Sequence, residues 1–331
     1  MIFSYFGGKR TQSPWIYSQI TNEIKNNTTT FTEVFSGAFW VYFMNDFSFA
    51  DKIIYNDMNQ YLTNFFATCS NPEFMKKLKY ELDEGILKFE PEKFPIQKEA
   101  YDHYYSYFKK MFYDLREELM FQHMGKEMEI DIPNIEMAFK YAILLRHSFS
   151  GLSNEKAGYS FSPASYKEGK ICPKPKSQLL RKLFEEDKMI EKLSKVTAFE
   201  YLDFAEHIKK YDSPTTLFYV DPPYFSTENK YYRGDDYFGN AGHKKLADIL
   251  NNIEGKFILS YYDFDDLSKY YPKDKFRWEE KAFTKASTSI TDKDIKQKQG
   301  LEVLIMNYPI ESKIKQEKVV IKEEIDDFWT S

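Results

Sequence analysis

Short apolar runs bounded by turn residues recur near the start of the chain and in its last 140 or so residues. The clearest is Thr216–Val220, which follows Ser213 and Pro214 and is apolar or aromatic after its first position. A run of this length between turn signals is typical of a strand buried on both faces. Comparable runs predict strands at 31–35, 52–55, 196–199, 256–261, 276–283 and 302–308. Helix-like stretches separate most of them, and this alternation predicts an α/β fold with a mostly parallel sheet.

The pattern changes between residues 71 and 139. Long charged stretches with helical periodicity replace the short apolar runs, and the longest spans 99–124. Prolines at positions 91, 95 and 133 interrupt these stretches, and a further helix is predicted at 135–147. The change predicts a helical domain at 69–176, inserted into an α/β domain that is formed by residues 1–68 and 177–331.

Composition favours a cytoplasmic protein that binds neither membrane nor metal. The 331 residues contain no apolar run of bilayer length, and the first residues lack the order of a signal peptide. The two cysteines and five histidines have neither disulfide nor metal-ligand spacing.

Charge is unevenly distributed. The net charge of −5 and the pI near 5.7 count against nucleic-acid binding by the chain as a whole. Residues 167–182 nevertheless contain six lysines or arginines and one glutamate. This stretch is either a surface that meets phosphates or a solvated basic loop, and charge alone does not separate the two.

The tetrapeptide Asp221-Pro222-Pro223-Tyr224 directly follows the run at 216–220, at the carboxyl end where open α/β sheets bind ligands. Two prolines cannot continue a strand ladder, so the chain must leave the sheet rigidly. The Asp221 carboxylate and the Pro222 carbonyl can then converge on one amino group, with the Tyr224 ring alongside. Two acceptors and a flat ring suit the exocyclic amine of a planar base, although an ordinary acidic turn has the same form.

Two segments early in the chain are candidates for binding a cofactor. Tyr5 and Lys9 flank a Gly-Gly pair that lets the backbone approach a ligand, although a simple turn also has this form. Phe35 and Gly37 lie where a strand meets a helix, and Asp57 follows the next strand twenty residues after Gly37. An acid at that distance is typical of ribose binding in dinucleotide folds, and it is also an ordinary helix N-cap.

A third candidate segment is Asp203-Phe204, at the end of the strand predicted at 196–199. An acid and an aromatic ring at a strand end can meet the adenine of a cofactor or a target base. Asp203 can equally cap the helix predicted at 204–211, so both interpretations stand.

These motifs, taken in their order along the chain, resemble Dam-type DNA adenine-N6 methyltransferases over most of its length. The resemblance implies a Rossmann-like methyltransferase sheet with an antiparallel last strand, and S-adenosyl-L-methionine as the methyl donor. It implies that Tyr5 and Lys9 help to hold the donor and that Asp221, Pro222 and Tyr224 act on the target adenine. The family usually carries a small residue or glycine where Phe39 stands here.

The resemblance also implies double-stranded DNA as substrate, with a hairpin of the inserted domain reading the sequence. The predicted DNA-binding residues lie in this segment, in the basic stretch and in the loop after Tyr224: Arg146, Ser150, Ser153, Asn154, Lys174, Lys176, Lys230 and Arg233. Asn154 stands where enzymes specific for GATC tend to carry arginine, so their specificity is not carried over. A cognate restriction endonuclease is a further partner that the resemblance admits.

Three alternatives stay open at the level of sequence. The tetrapeptide alone also suits enzymes that methylate RNA bases. Phe39 keeps open a DNA-binding module with the same fold and a degenerate donor site. A dinucleotide oxidoreductase would suit Gly37 and Asp57, but it leaves residues 221–224 unexplained.

Overall fold

The computed structural model of the chain describes residues 8–77, 97–121, 133–148, 158–159, 164–167, 170–173, 187–224, 238–284 and 299–309. Within these ranges the strands with defined bounds are β1 Thr30–Glu33, β2 Lys52–Asn56, β3 Ala164–Lys167, β4 Lys170–Pro173, β5 Ala198–Glu200, β6 Thr216–Val220, β7 Lys256–Tyr262, β8 Arg277–Thr284 and β9 Gln299–Met306. The helices with defined bounds are α1 Ser13–Ser18, α2 Asn22–Asn27, α3 Trp40–Met44, α4 Gln60–Ser70, α5 Gln97–Phe121, α6 Ile135–His147, α7 Asp187–Leu193, α8 Phe204–Tyr211, α9 Gly239–Leu250 and α10 Leu267–Tyr270.

The main sheet has seven strands in the order β5-β2-β1-β6-β7-β9-β8. β1 pairs in parallel with β2 and β6, and β6 pairs in parallel with β7. β9 runs antiparallel to both of its neighbours, β7 and β8. The predicted α/β fold, with a mostly parallel sheet and a reversed last strand, is therefore confirmed. A separate antiparallel hairpin joins β3 to β4.

The register of the sheet determines which residues meet at one edge. Glu33 at the end of β1 is opposite Tyr219 of β6, so the carboxyl ends of these two strands lie side by side. Glu302 of β9 is opposite Tyr262, the last residue of β7. Because β9 is reversed, its early residues lie at the edge where the parallel strands end.

β6 forms the centre of the core. All five of its residues are buried, which explains why its sequence is a continuous apolar run instead of an alternating one. Phe218 and Val220 belong to a cluster that includes Ile208 of α8 and Leu246 of α9. Helices therefore cover the sheet next to the strand that carries Asp221.

The chain divides into two compact units. The first comprises residues 1–8, 57–201 and 231–233, and the second comprises 9–56, 202–230 and 234–331. In the first unit, the Asn59 side chain donates to the Tyr141 hydroxyl at 2.9 Å and the Asn64 side chain donates to the Asn134 carbonyl at 2.8 Å. These bonds link α4 to α6. The inserted domain predicted at 69–176 stays a prediction.

Several element bounds differ from those predicted. β1 ends at Glu33, so Phe35 lies beyond the strand. The helix after β1, α3, begins only at Trp40, because Phe39 has a left-handed backbone with φ of 57°. α9 begins at Gly239. Glycine is a poor helix former, so Gly239 and Gly242 conceal this start in the sequence.

Candidate active site

Asp221 follows β6 and is held in a nearly closed environment. Its side chain is 16% exposed, and Pro222, Pro223 and Tyr224 are buried. The two prolines remove two backbone donors from the strand end, and their fixed φ directs the chain out of the sheet. The sequence thus places a carboxylate, and next to it an aromatic ring, at the carboxyl edge of the central strand.

Lys9 is the cation of this site. Its ammonium lies 3.2 Å from Asp221 Oδ1 and 3.1 Å from Glu302 Oε1. The same ammonium lies over the Tyr224 ring, 4.4 Å from the ring centroid. Burial favours neutral Lys9, but the two carboxylates outweigh that effect and raise the pKa of Lys9 above its usual range. Lys9 is therefore charged at any physiological pH.

Glu302 completes the cluster, although no motif in the sequence indicates a function for it. Its Oε1 accepts hydrogen bonds from the Ser260 hydroxyl at 2.8 Å and from the Tyr224 hydroxyl. Only 1% of Glu302 is exposed. In the sequence, Glu302 is one acid directly before four apolar residues of β9, 303–306. This pattern places Glu302 in the site only when β9 is known to run antiparallel to β7.

The charges around Asp221 shift its protonation. Burial raises the pKa of Asp221 to about 6, the Lys9 ammonium opposes this rise, and the Glu302 carboxylate adds to it. Asp221 is consequently ionised at neutral pH and protonated only in mild acid. An ionised carboxylate can accept two hydrogen bonds from an amine, which the protonated acid does less well.

Glu33 is a second buried acid at the end of β1. Its Oε1 accepts a hydrogen bond from the backbone N–H of Tyr42 at 2.8 Å. Burial, together with the charge of Asp221, raises the pKa of Glu33 well above its ordinary value. Glu33 is therefore harder to ionise than an exposed glutamate. The carboxylates that pair with Lys9 are those of Asp221 and Glu302.

The turn after β1 has two left-handed residues, Gly37 with φ of 48° and Phe39 with φ of 57°. The Tyr55 hydroxyl donates to the Gly37 carbonyl at 2.9 Å. Phe39 is completely buried, and its ring packs against Tyr42, Phe43 and Tyr55. The left-handed backbone explains why glycine suits this position, and packing of the Phe39 ring offsets a strain of about 1–2 kcal/mol.

Asn56 is a further residue that the sequence did not single out. Its side chain donates to the carbonyls of Val34 at 2.9 Å and Leu202 at 3.1 Å, and it accepts from the Leu202 N–H at 2.9 Å. This one side chain therefore joins the end of β1 to the segment that leads into Asp203.

Asp203 and Phe204 lie in the second unit, together with Phe35. Asp203 caps α8, because its Oδ1 accepts from the Ala205 N–H at 3.0 Å, and it pairs with the Lys245 ammonium at 3.1 Å. The Phe35 and Phe204 rings stack at 5.7 Å, and Phe238 packs against both. Phe35 is half-buried, so part of this aromatic group is accessible.

Asp57 lies in the first unit, where its Oδ1 accepts from the Asn59 N–H at 2.8 Å. The cap of α4 is Asn59, whose side chain accepts from the N–H groups of Tyr61 and Leu62. The interpretation of Asp57 as the helix N-cap is therefore wrong.

Many predicted contacts to DNA and donor fall outside the described residues. These are Tyr5, Ser150, Ser153, Asn154, Lys174, Lys176, Lys230 and Arg233, together with the side chain of Arg146 in α6. The segment 148–163 is the one predicted to read the DNA sequence, and we call it the reading segment. Two of its described residues, Ser148 and Tyr159, form an antiparallel bridge.

A family model described as D12 class N6 adenine-specific DNA methyltransferase matches residues 5–289. The match includes Lys9 and all of 221–224, and it spans most of the 331 residues. The chain belongs to this family. A search of curated proteins found no match. Membership confirms the predicted activity, which is methylation of adenine N6 in DNA, and it removes RNA methylation and oxidoreduction as interpretations.

In the part of this D12 class methyltransferase that the structure describes, no helix is long and apolar enough to cross a membrane. In the same residues, no group of three histidine, cysteine or acidic side chains has an arrangement that could hold a metal ion.

Proposed function

We propose that this D12 class methyltransferase uses S-adenosyl-L-methionine as donor and acts on an adenine turned out of double-stranded DNA, with Asp221 binding the adenine amino group. The observation that supports the role of Asp221 is its position. It is a buried, ionised carboxylate at the end of the central strand, next to the Lys9 ammonium and the Tyr224 ring. A base inside a duplex could not reach such a carboxylate without leaving the stack.

The amino nitrogen of adenine is a poor nucleophile, because its lone pair is delocalised into the ring. The Asp221 carboxylate and the Pro222 carbonyl would each accept one of its hydrogens, which favours a tetrahedral nitrogen with a localised lone pair. Fixing this geometry before reaction lowers the barrier, as does placing negative charge where positive charge develops on nitrogen. The amino nitrogen would form a bond to the methyl carbon as the carbon–sulfur bond breaks, and the sulfur would keep that electron pair. The nitrogen would then lose one proton to water.

S-adenosyl-L-methionine would supply a methyl group already activated on a sulfonium. Several features of the described residues fit it. The turn at Gly37 has a left-handed backbone without a side chain, and the group formed by Phe35, Phe204 and Phe238 offers a partly exposed aromatic surface. We propose that Phe35, Gly37, Asp57, Asp203 and Phe204 hold the donor, together with Tyr5 and Lys9. The contacts of Lys9 support an additional role beside Asp221.

DNA contacts are proposed for the residues named above in the segment 146–154, in the basic stretch and after Tyr224. We also propose a cytoplasmic location, since the substrate is DNA and Cys69 is a buried free thiol, as expected in a reducing compartment. A cognate restriction endonuclease stays a prediction of the resemblance.

The experiment uses purified enzyme, donor tritiated on its methyl group and unmodified amplified genomic DNA, which contains every short sequence. Label should appear in N6-methyladenine after digestion to nucleosides. Asp221→Ala should give no label, while Asp274→Ala, which changes an exposed acid, should behave as wild type. Label on cytosine or on added RNA would contradict the proposal, as would an active Asp221→Ala enzyme.

A further inference from the structure

Glu302 contacts three groups of the proposed site through one oxygen. Its Oε1 accepts from the Tyr224 and Ser260 hydroxyls and lies 3.1 Å from the Lys9 ammonium. The Tyr224 and Ser260 hydroxyls are also 3.0 Å from each other. Glu302 is beyond residues 5–289 that match the family model.

We propose that Glu302 is a positioning residue for methyl transfer. It fixes the Tyr224 ring through the ring hydroxyl, and it shares the Lys9 ammonium with Asp221. The proposal rests on the proposed roles of Asp221 and Tyr224. It adds a residue from β9 that would not touch the adenine and would act through its neighbours.

The first part of this role is geometric. A hydrogen bond from a hydroxyl to a carboxylate is about twice as strong as one between neutral groups. Tyr224 has one such bond to Glu302, and its ring packs edge-on against Tyr262 with centroids 4.5 Å apart. The ring can then neither rotate nor tilt freely, so a base beside Asp221 meets it in one orientation.

The second part is electrostatic. Lys9 lies between two carboxylates at nearly equal distances, 3.2 Å and 3.1 Å, so its positive charge is shared between Asp221 and Glu302. Without Glu302, Lys9 would pair with Asp221 alone, and Asp221 would be a weaker acceptor for the adenine amine. Among the residues that the structure describes, the charged or titratable groups that face Asp221 from the surrounding elements are Lys9, Glu33, Tyr219, Tyr224, Tyr262 and Glu302.

The test is Glu302→Gln, which keeps the size of the side chain and removes its charge. We expect kcat at pH 8 to fall about tenfold while the KM for the donor changes less than about twofold, since the loss is one of orientation. Removal of a negative charge near Asp221 should also shift the acid limb of kcat to lower pH, by on the order of one unit. Glu280→Gln, on the neighbouring strand β8, is the matched control and should leave both quantities unchanged.

A double-variant cycle with Tyr224→Phe separates positioning from stability. If Glu302 acts through the Tyr224 hydroxyl, the double variant should be about as impaired as the worse single variant. Losses that simply multiply, combined with an acid limb that does not move, would assign Glu302 to stability and overturn the proposal. Should Glu302→Gln fail to fold, Ser260→Ala replaces it in the same cycle, and multiplying losses there would overturn the proposal as well.

The Asp221 and Glu302 variants test the proposed function and the role of Glu302 separately. If Asp221→Ala is inactive but Glu302→Gln has wild-type kcat and pH profile, only the role of Glu302 is wrong. If Asp221→Ala is active, the proposed function is itself wrong.

Discussion

Lys9 and Asp221 come from two separate segments of the second unit's sequence, and their charged atoms lie 3.2 Å apart in its interior. The pair joins the segment before α1 to the end of β6. It makes the protonation of Asp221 depend on a residue that the sequence suggested for a different task. Removing either partner should therefore have an effect that depends on pH.

Asp221→Asn should stabilise the fold more at pH 8 than at pH 5, relative to wild type. The folded-state pKa of about 6 lies above the usual value of 3.8, so the folded protein holds the Asp221 proton more tightly than the unfolded chain does. The wild type therefore loses stability as the pH rises through these two values and Asp221 ionises. The difference in unfolding free energy should rise by roughly 1–3 kcal/mol across this range. Urea denaturation at the two pH values measures it, and a difference that falls with pH would contradict the assignment.

Lys9→Met should move the acid limb of kcat in the direction opposite to Glu302→Gln. Loss of the ammonium removes the group that lowers the pKa of Asp221, so that pKa rises and more of the enzyme is protonated at pH 7. We expect kcat at pH 7 to fall at least about tenfold and to recover partly at pH 9. Lys52→Met, which changes an exposed lysine, is the control, and a fall independent of pH would argue against this mechanism.

The left-handed backbone at Phe39 predicts that replacement by glycine destabilises the protein less than replacement by alanine does. Both Phe39→Ala and Phe39→Gly lose the buried ring and should destabilise the protein by roughly 3–5 kcal/mol. Because alanine is strained at φ of 57° and glycine is not, Phe39→Gly should be the more stable by about 1 kcal/mol. Thermal unfolding distinguishes them, and the usual order with alanine ahead would show that the position is not left-handed in solution.

Asp57 and Asn59 provide a matched pair for donor binding. Asp57→Ala should weaken the binding of S-adenosyl-L-methionine by roughly 1–3 kcal/mol, the cost of leaving polar partners unpaired. Asn59→Ala removes the cap of α4 and should cost about 1 kcal/mol of stability with little change in donor affinity. Calorimetric titration and thermal unfolding of both variants provide the comparison. Equal donor affinities in the two would remove Asp57 from the donor site.

The basic stretch and the reading segment should have separable effects on DNA binding. Replacing Lys174 and Lys176 by alanine should weaken binding to every duplex and flatten its salt dependence, because phosphate contacts release counterions. Replacing Ser153 or Asn154 should change which sequences are preferred. Fluorescence anisotropy on several duplexes at two salt concentrations tests both. Uniform losses in all these variants would show that the two segments do not divide the work.

The sequence predicted most where local chemistry decides the structure. β6 has the predicted bounds, because Thr216 and the four apolar or aromatic residues after it lie between a proline turn and two prolines, which leaves little choice. The helix at 135–147 was predicted with equal accuracy, since Asn134 caps it and a proline precedes that cap. The tetrapeptide after β6 indicated the chemistry, because its residue types and not their surroundings carry the signal.

Contacts between distant segments could not be predicted in the same way. The position of Glu302 depends on β9 lying between β7 and β8 in reversed direction, and neither property is visible in one strand's pattern. Lys9 was expected near the donor because of the neighbouring glycines. A lysine side chain is long enough to meet several different partners, so the sequence does not show that Lys9 contacts Asp221 and Glu302. In the sequence, Phe39 departs from the small residue that is usual in the family and therefore counted against a donor site. Only its left-handed backbone shows that Phe39 is an integral part of the turn after β1.

The place of β9 in the sheet has a consequence for how the enzyme matures during translation. Asp221 and Lys9 leave the ribosome well before Glu302, yet Glu302 contributes one of the two carboxylates around the Lys9 ammonium. A nascent chain that stops short of residue 299 must therefore leave Lys9 with Asp221 alone. The proposed arrangement around Asp221 is therefore complete only once the strand that lies between β7 and β8 has been synthesised and inserted.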